Sequence, residues 1–311
     1  MPCVPTVADE QFENVSCLFG CEKPLKQLSR KGQFNLPTYV CICTGCGLVF
    51  LNPRWKKERY EEFYKQEFSN YEPVDLDSSL KENLDDAPEA IQVWNRLKIF
   101  NIGSTQCILD MGCGAGSILK TLKARIPNSS LFAIEPQQAY QEYLKKKLSI
   151  EVVATDVDSK WYELYPNKFD LIIMRHVLEH FLNPIESLKK TVSTLSPNGL
   201  LYLAVPNMMN PGGSLRRYWF RAAHTFYFSE TTLLQILSRA GLEQIAIQSE
   251  GRELWGVFKK GSEPLPLRSV YIEQMEAVRK AKIRYCLECF LSSLRFPIRL
   301  FNYMKCKVAK A

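Results

Sequence analysis

Four groups of residues in this 311-residue chain have the types and spacing to do chemistry. The first is Gly112, Gly114 and Gly116 within Leu109-Asp-Met-Gly-Cys-Gly-Ala-Gly-Ser117, with Asp110 ahead of them and Cys113 among them. They follow a short apolar β-type segment, Cys107–Asp110, and precede a helical pattern of Ile118, Leu119, Leu122 and Ile126. Glycines at such a junction let the backbone approach a ligand, and the helix N-terminus offers unpaired N–H groups and partial positive charge. The spacing is G-x-G-x-G, whereas the dinucleotide fingerprint G-x-G-x-x-G would need its third glycine at Ser117. Asp110 would repel a pyrophosphate and suits a ligand bearing a cationic amino-acid group.

The second group is acidic. Glu135 closes an apolar segment, Leu131–Glu135, and Asp156 follows another, Ile150–Ala154. A carboxylate after the second strand of a parallel sheet can accept both ribose hydroxyls of an adenosine, and one after the third can accept from an adenine amino group. Asp170 opens its strand rather than closing it and reads as structural. The third group is the full set of histidines, His176, His180 and His224, all candidate bases. The fourth is Cys17-x3-Cys21 and Cys43-x2-Cys46-Gly47, two knuckles 21 residues apart. Four thiolates so paired can surround a structural Zn²⁺ and tie down a segment too small for its own core. Scattered buried thiols are the alternative, since the chain has eleven cysteines and Cys3 and Cys41 fit no pattern.

The elements that must position these groups alternate. Strand-like segments at 107–110, 131–135, 150–154, 169–174, 199–205 and 243–248 are separated by helical patterns. They predict an α/β fold with a doubly wound, mostly parallel, seven-stranded Rossmann-like sheet. All three histidines then map to the ligand end of the sheet. The chain divides into a Cys-rich zinc-ribbon-like segment (1–55), a helical linker or lid (56–104), a ligand-binding core (105–250) and a basic C-terminal part (251–311). That last part carries a helix with Ile283, Cys286, Leu287, Phe290, Leu291 and Leu294 on one face, and Met304–Ala309 alternates like a closing strand. The apolar face either docks on the domain or meets an anionic membrane surface. From Met275 onward there are nine Lys/Arg and two Glu, which accounts for the whole formal charge of +7. The excess is local, so no nucleic-acid partner is expected. Met1–Pro5 is not a basic stretch leading into an apolar core, and no apolar run is long enough to span a bilayer. The expectation is a soluble cytoplasmic protein whose cysteines are thiols or metal ligands.

Taken together, the glycine loop, Glu135-Pro136, Asp156, Phe169–Ile173, Arg175-His-Val-Leu-Glu-His-Phe-Leu-Asn-Pro184 and Leu195–Asn207 resemble a class I S-adenosylmethionine-dependent methyltransferase of the ubiquinone-biosynthesis-type group, over about residues 105–250. The front end through Cys43–Arg54 is similar to members with an N-terminal zinc ribbon, although the first pair here is C-x3-C where such ribbons usually have C-x2-C. The resemblance implies that Gly112–Gly116 and Cys113 wrap the methionine part of the cofactor beside Asp110. Glu135 with Pro136 would hold the ribose, and Asp156 with Val157 the adenine edge. Apart from the resemblance, the aromatic Tyr64 or Tyr71 of the helical segment is placed to cap the site. The implied reaction is in-line transfer of a methyl group to a small acceptor: a sugar, nucleotide-sugar, lipid-linked or quinone-type metabolite. An acceptor bearing phosphate or carboxylate would suit the arginines and aromatics of Asn207–Ser229, namely Arg216, Arg217, Tyr218, Trp219, Phe220 and Arg221. Rival readings are a nicotinamide oxidoreductase, disfavoured by the glycine spacing, and a non-catalytic adenosyl-ligand binder. His176-x-x-Glu179-His180 also matches an inverted zinc-protease motif, but it follows a strand of a parallel sheet.

Overall fold

The computed structural model describes residues 11–67, 87–104, 107–261 and 263–308. Tyr71 and the acidic stretch 75–86 lie outside the described residues. The chain begins with β1 (Phe12–Glu13), β2 (Leu25–Lys31), β3 (Pro37–Cys43), β4 (Val49–Leu51) and β5 (Arg54–Trp55). Helix α1 (Lys57–Glu62) runs into a π-helical turn, Phe63–Glu67, and α2 (Pro88–Leu97) starts with proline in its first turn, where no intrahelical N–H is needed.

The ligand-binding core then follows the alternation read from the sequence. Its elements are β6 (Cys107–Met111), α3 (Ser117–Arg125), β7 (Ser130–Ile134), α4 (Gln138–Lys147), β8 (Glu151–Ala154), β9 (Phe169–Arg175), α5 (Pro184–Thr194), β10 (Leu195–Pro206), β11 (Phe226–Tyr227), α6 (Glu230–Arg239), β12 (Leu242–Glu250) and β13 (Glu253–Lys260). The seven-stranded sheet has the order β12-β13-β10-β9-β6-β7-β8, with β13 antiparallel to both neighbours. Its central strands are buried on both faces: Leu109, Ile172, Met174 and Leu203 belong to one apolar cluster, and Ile108, Ile173, Tyr202 and Val257 to another. The chain leaves β6 toward β7 on one side and returns to β9 on the other. The crevice at the carboxyl ends of β6 and β9 is therefore the switch point of the sheet. Asp170 bears out its structural reading, accepting from the Cys107 backbone N–H at 3.0 Å and facing the Ser196 hydroxyl at 3.1 Å.

Two expectations for the C-terminal part need correction. The boundary at 250 cuts a hairpin, because β12 and β13 pair from Glu250↔Glu253 outward around Gly251 and Arg252, and the sheet continues to Lys260. The stretch from Met304, read as a closing strand, is instead helical: α7 runs from Tyr271 to Val308. Six alternating residues are too few to distinguish the two periods, and β13 supplies the seventh strand.

The cysteine-bearing segment shares the core. β11 pairs with β4 to complete a second sheet, β11-β4-β3-β2, and Cys43, Cys46, Leu48 and Phe50 pack in the same cluster as Leu109 and Met174. The start of α7 covers this sheet through Val278 and Ala281, while Ile283, Leu287, Phe290 and Leu291 stay exposed. Among the described residues no helix is long and apolar enough to cross a membrane.

Candidate active site

The glycine loop lies at the switch point. Gly116 takes φ +79 at the N-cap of α3, and a Cβ there would sit 2.7 Å from Leu144 Cδ2, so both backbone and packing exclude a side chain. Gly112 has φ +71, and its Cβ would meet Val177 Cγ2 at 2.7 Å. Gly114 shares the left-handed backbone at φ +54, but a Cβ there would face open space. That space belongs to a cavity of about 260 Å³ lined by Glu89, Asp110, Gly112, Cys113, Gly114, Ser117, Tyr140 and Arg175. Asp110 is 2% exposed and its Oδ2 has no hydrogen-bond partner. Burial first, and then the Glu135 charge, hold its carboxyl well above the usual range, with Arg175 opposing. Glu135 accepts from the Gly114 N–H at 2.8 Å and the Gln137 N–H at 2.9 Å, and burial raises its carboxyl too.

The remaining expected cofactor residues are placed otherwise. Asp156 is exposed and accepts from the Asp158 N–H at 2.9 Å, closing a turn, while Val157 packs against the core. Neither they nor the exposed Pro136 line the crevice, and Glu135 stands behind its wall, holding the Gly114 N–H. Tyr64 does not cap the glycine loop: its hydroxyl is 2.8 Å from His180 Nδ1, because α1 and the π-helical turn pack beside the histidines.

A second cavity, of about 620 Å³, adjoins the first. Its wall gathers Phe63, Arg175, His176, Glu179, His180, Trp219, Arg221, His224, Arg252 and Glu253, with Gln33, Phe34 and Leu36 from the N-terminal segment. Of the arginine-aromatic stretch, Tyr218, Trp219 and Arg221 line it. Arg216 instead reaches Asn35 at 3.3 Å, and Phe220 is core. Arg175, at the end of β9, lines both cavities.

All three histidines meet here, in unlike states. His176 holds φ +56, a strained value for a residue with a Cβ. Its Nδ1 is 3.3 Å from Glu179 Oε1 and its Nε2 2.9 Å from Glu253 Oε1. Burial disfavours its charge, but the two carboxylates outweigh burial and push it up to about 9. Glu253 is itself held at about 2, since hydrogen bonds from His176 and Arg96 and the Arg175 charge override burial. Arg96, buried on α2, also pairs with Glu250 at 2.7 Å and the Tyr202 hydroxyl at 2.8 Å. His224 is the opposite case, held well below the usual range by burial and then by the charges of His180 and Arg221. His180 packs edge-on against it, ring centroids 4.8 Å apart. Its Nδ1 lies 3.0 Å from the Ala223 carbonyl as well as 2.8 Å from the Tyr64 hydroxyl.

Sequence reasoning missed Glu253 because its strand was not recognised, and Arg96 because nothing local marks a buried arginine. Arg175 had a visible signal, its place at the carboxyl end of an apolar strand. The Glu179-His180 pair lies on a short 3₁₀ turn, Leu178–His180, after β9, and His176 is engaged by two carboxylates. A helical protease motif is thereby excluded.

The four cysteines come together away from these cavities. Their sulfurs lie within 4.8 Å of one another, with Cys17 and Cys46 at 3.5 Å. Gly47 turns at φ +88, and the Leu48 N–H points at Cys46 Sγ at 3.4 Å. The Cys46 contact holds the Cys17 thiol down at about 5 despite burial, and the same contact, with burial, raises Cys46.

A glycine loop at the switch point, beside a larger cavity that shares Arg175 with it, defines the class: a doubly wound α/β protein with two neighbouring cavities at the carboxyl ends of its strands. Residues 76–247, more than half the chain, match the sequence family described as "Methyltransferase domain", and the chain belongs to that family. It is 26% identical over 135 residues to the demethylmenaquinone methyltransferase of Chlamydia pneumoniae, covering 42% of this chain and 58% of that one. It is 30% identical over 118 residues to the ubiquinone biosynthesis O-methyltransferase of Bradyrhizobium diazoefficiens, covering 34% and 44%. A malonyl-[acyl-carrier protein] O-methyltransferase of Priestia megaterium is 22% identical over 211 residues, covering 66% and 71%. The chain thus spans about half the length of the first two.

Proposed function

We propose that this protein transfers the methyl group of S-adenosylmethionine to a small anionic acceptor held in the larger cavity. The observation that carries the reading is Arg175, which lines both cavities and so would stand where donor and acceptor meet. The smaller cavity fits the donor on its own terms. Asp110 Oδ2, buried and unpartnered, suits an ammonium group, and the space beside Gly114 admits a ligand against the backbone. Asp110 and the loop would hold the methionine part, and Glu135 the ribose. When bound, the cofactor supplies an electrophilic methyl group on a sulfonium. The chain's own work is to align the acceptor and exclude water, and positioning alone is worth effective molarities of up to about 10⁵–10⁸ M. Arg175, Arg221 and Arg252 would bind the acceptor's phosphate or carboxylate. Proton removal would fall to His180 and His224, since His176 is already protonated at neutral pH. Calorimetry tests the donor half: S-adenosylmethionine and S-adenosylhomocysteine bind at micromolar levels and NAD does not. Absence of heat with both sulfur ligands overturns the reading. Incubating the protein with labelled methyl donor and metabolite extracts identifies the acceptor.

Two further parts belong to this reading. The cysteine cluster fits one structural Zn²⁺, having four convergent sulfurs and an N–H directed at one of them. The exposed Ile283, Leu287, Phe290 and Leu291, on a helix whose surplus charge is positive, fit an anionic lipid surface and suit a membrane-borne acceptor.

A further inference from the structure

The larger cavity contains buried donor atoms that the protein itself leaves unmatched. Glu179 is 1% exposed and its Oε2 has no hydrogen-bond partner; His224 is 8% exposed and its Nδ1 has none. Native interiors rarely leave such groups unmatched, least of all two together. With His180 they present three ligand atoms all within 4.8 Å of one another. Around an ion bound at about 2.1 Å, neighbouring donors stand about 3.3 Å apart, so modest side-chain rotation closes the set. The two loops that supply them are already clamped, Thr225 Oγ1 lying 2.9 Å from the Glu179 carbonyl and 2.7 Å from that of Phe181. The Ala223 carbonyl on His180 Nδ1 is the outer partner that a metal-binding imidazole ordinarily has.

We propose that Glu179, His180 and His224 bind a divalent first-row transition ion in the wall of the acceptor cavity, distinct from the four-cysteine cluster. Two imidazoles and one carboxylate suit Zn²⁺, Co²⁺ or Fe²⁺ rather than Mg²⁺, and three protein ligands leave a coordination position open. That position faces the cavity, so the favoured acceptors carry a hydroxyl or carboxylate oxygen able to ligate the ion. Arg221 and His176 lie close and only one carboxylate is in the set, so the site keeps net positive charge, which an anionic acceptor offsets. This assignment of an acceptor class rests on the methyl-transfer reading; the ion site itself does not. An ion there would take over the work assigned above to the histidine pair.

The test is Co²⁺ titration of the full-length protein followed by absorption spectroscopy, since thiolate-bound cobalt gives an intense near-ultraviolet charge-transfer band that nitrogen- and oxygen-bound cobalt lacks. The expected result is about one equivalent of cobalt with weak visible bands and no thiolate band. Those bands should vanish in Glu179→Gln and His224→Ala and persist in Cys21→Ser. S-adenosylhomocysteine calorimetry on each variant shows that it is folded. Uptake confined to the thiolate site, or visible bands unchanged in Glu179→Gln, overturns the ion site. Cobalt binding without S-adenosylhomocysteine binding upholds the site and overturns the methyl-transfer reading instead.

Discussion

Glu253 reaches from β13 to His176, its Oε1 2.9 Å from the imidazole Nε2, and joins two residues that sequence reading kept apart. Each holds the other charged: His176 is raised to about 9 and Glu253 lowered to about 2. The histidine's contribution to stability is complete below the unfolded value of about 6.5 and fades as pH rises through 9. The glutamate's contribution is complete above about 4.5 and fades as pH falls toward 2. The pair is therefore strongest between those limits. Glu253→Gln should lower the His176 pKa, measurable by NMR titration. It should cost about 1–2 kcal/mol at pH 6, a value kept modest by partial solvent access to the imidazole. The loss relative to the parent should shrink toward pH 10.

Asp110→Asn separates donor binding from stability. A buried carboxyl with an unpartnered oxygen is a burden to the ligand-free fold, so the amide should leave the melting temperature equal or higher at pH 7. Its pKa is raised, so whatever stability it contributes is present at low pH and lost as pH rises. The cost should appear in ligand binding instead. Loss of a charged hydrogen bond worth roughly 1.5–3 kcal/mol weakens S-adenosylmethionine binding about 10- to 100-fold by calorimetry.

Gly116→Ala should destabilise by roughly 1–3 kcal/mol in denaturant melts. Its φ of +79 disfavours any Cβ, and the added atom would press on Leu144 Cδ2 at 2.7 Å. Gly114→Ala meets nothing in the protein but still carries the strain of φ +54, so it should lose about 1 kcal/mol, less than Gly116→Ala, yet bind the donor more weakly. A reversed pattern would mean that the open side of Gly114 is not the ligand side.

The parallel sheet was readable because each central strand is an apolar run bounded by glycine, proline or acidic residues, and buried strands of this kind need no partner information to be seen. The loop Gly112–Gly116 was readable for the same reason, its chemistry being local. The hairpin at Gly251-Arg252 was not, because Glu253-Leu-Trp-Gly-Val-Phe258 carries a glycine that local reading takes for a break. That glycine is demanded by tertiary packing, since its Cβ would meet the Ala246 carbonyl at 2.7 Å. The states of the histidines were also invisible. Three identical side chains near one strand end differ only through Glu253, Glu179 and burial, which topology assembles from distant positions.

The cysteine cluster predicts about one zinc per chain. Cys43 and Cys46 are fully buried in the main apolar cluster, so the ion would brace the domain as well as the ribbon. Cys43→Ser should lose that zinc by metal analysis and lower the melting temperature. Cys41→Ser should keep the metal, because Cys41 hydrogen-bonds the Asn52 carbonyl at 3.3 Å rather than joining the cluster. Protein without zinc would leave the four thiols as core residues only.

The last prediction concerns α7. Of the two readings of its apolar face, docking through Ile283, Leu287, Phe290 and Leu291 does not occur: the helix docks through Ala277, Val278 and Ala281, and the later apolar side chains remain about half exposed. A basic helix with half-exposed apolar residues gains from an anionic surface twice, by burying those side chains and by attracting its lysines and arginines. The full-length protein should cosediment with vesicles rich in phosphatidylglycerol and not with pure phosphatidylcholine vesicles. Binding should fall steeply as salt shortens the Debye length. Phe290→Ser with Leu291→Ser should abolish cosedimentation and leave S-adenosylhomocysteine binding intact, because both positions are remote from the glycine loop in the sequence and line neither cavity. Equal binding to neutral and anionic vesicles would remove the electrostatic half of the argument, and no binding to either would leave this face without a lipid role.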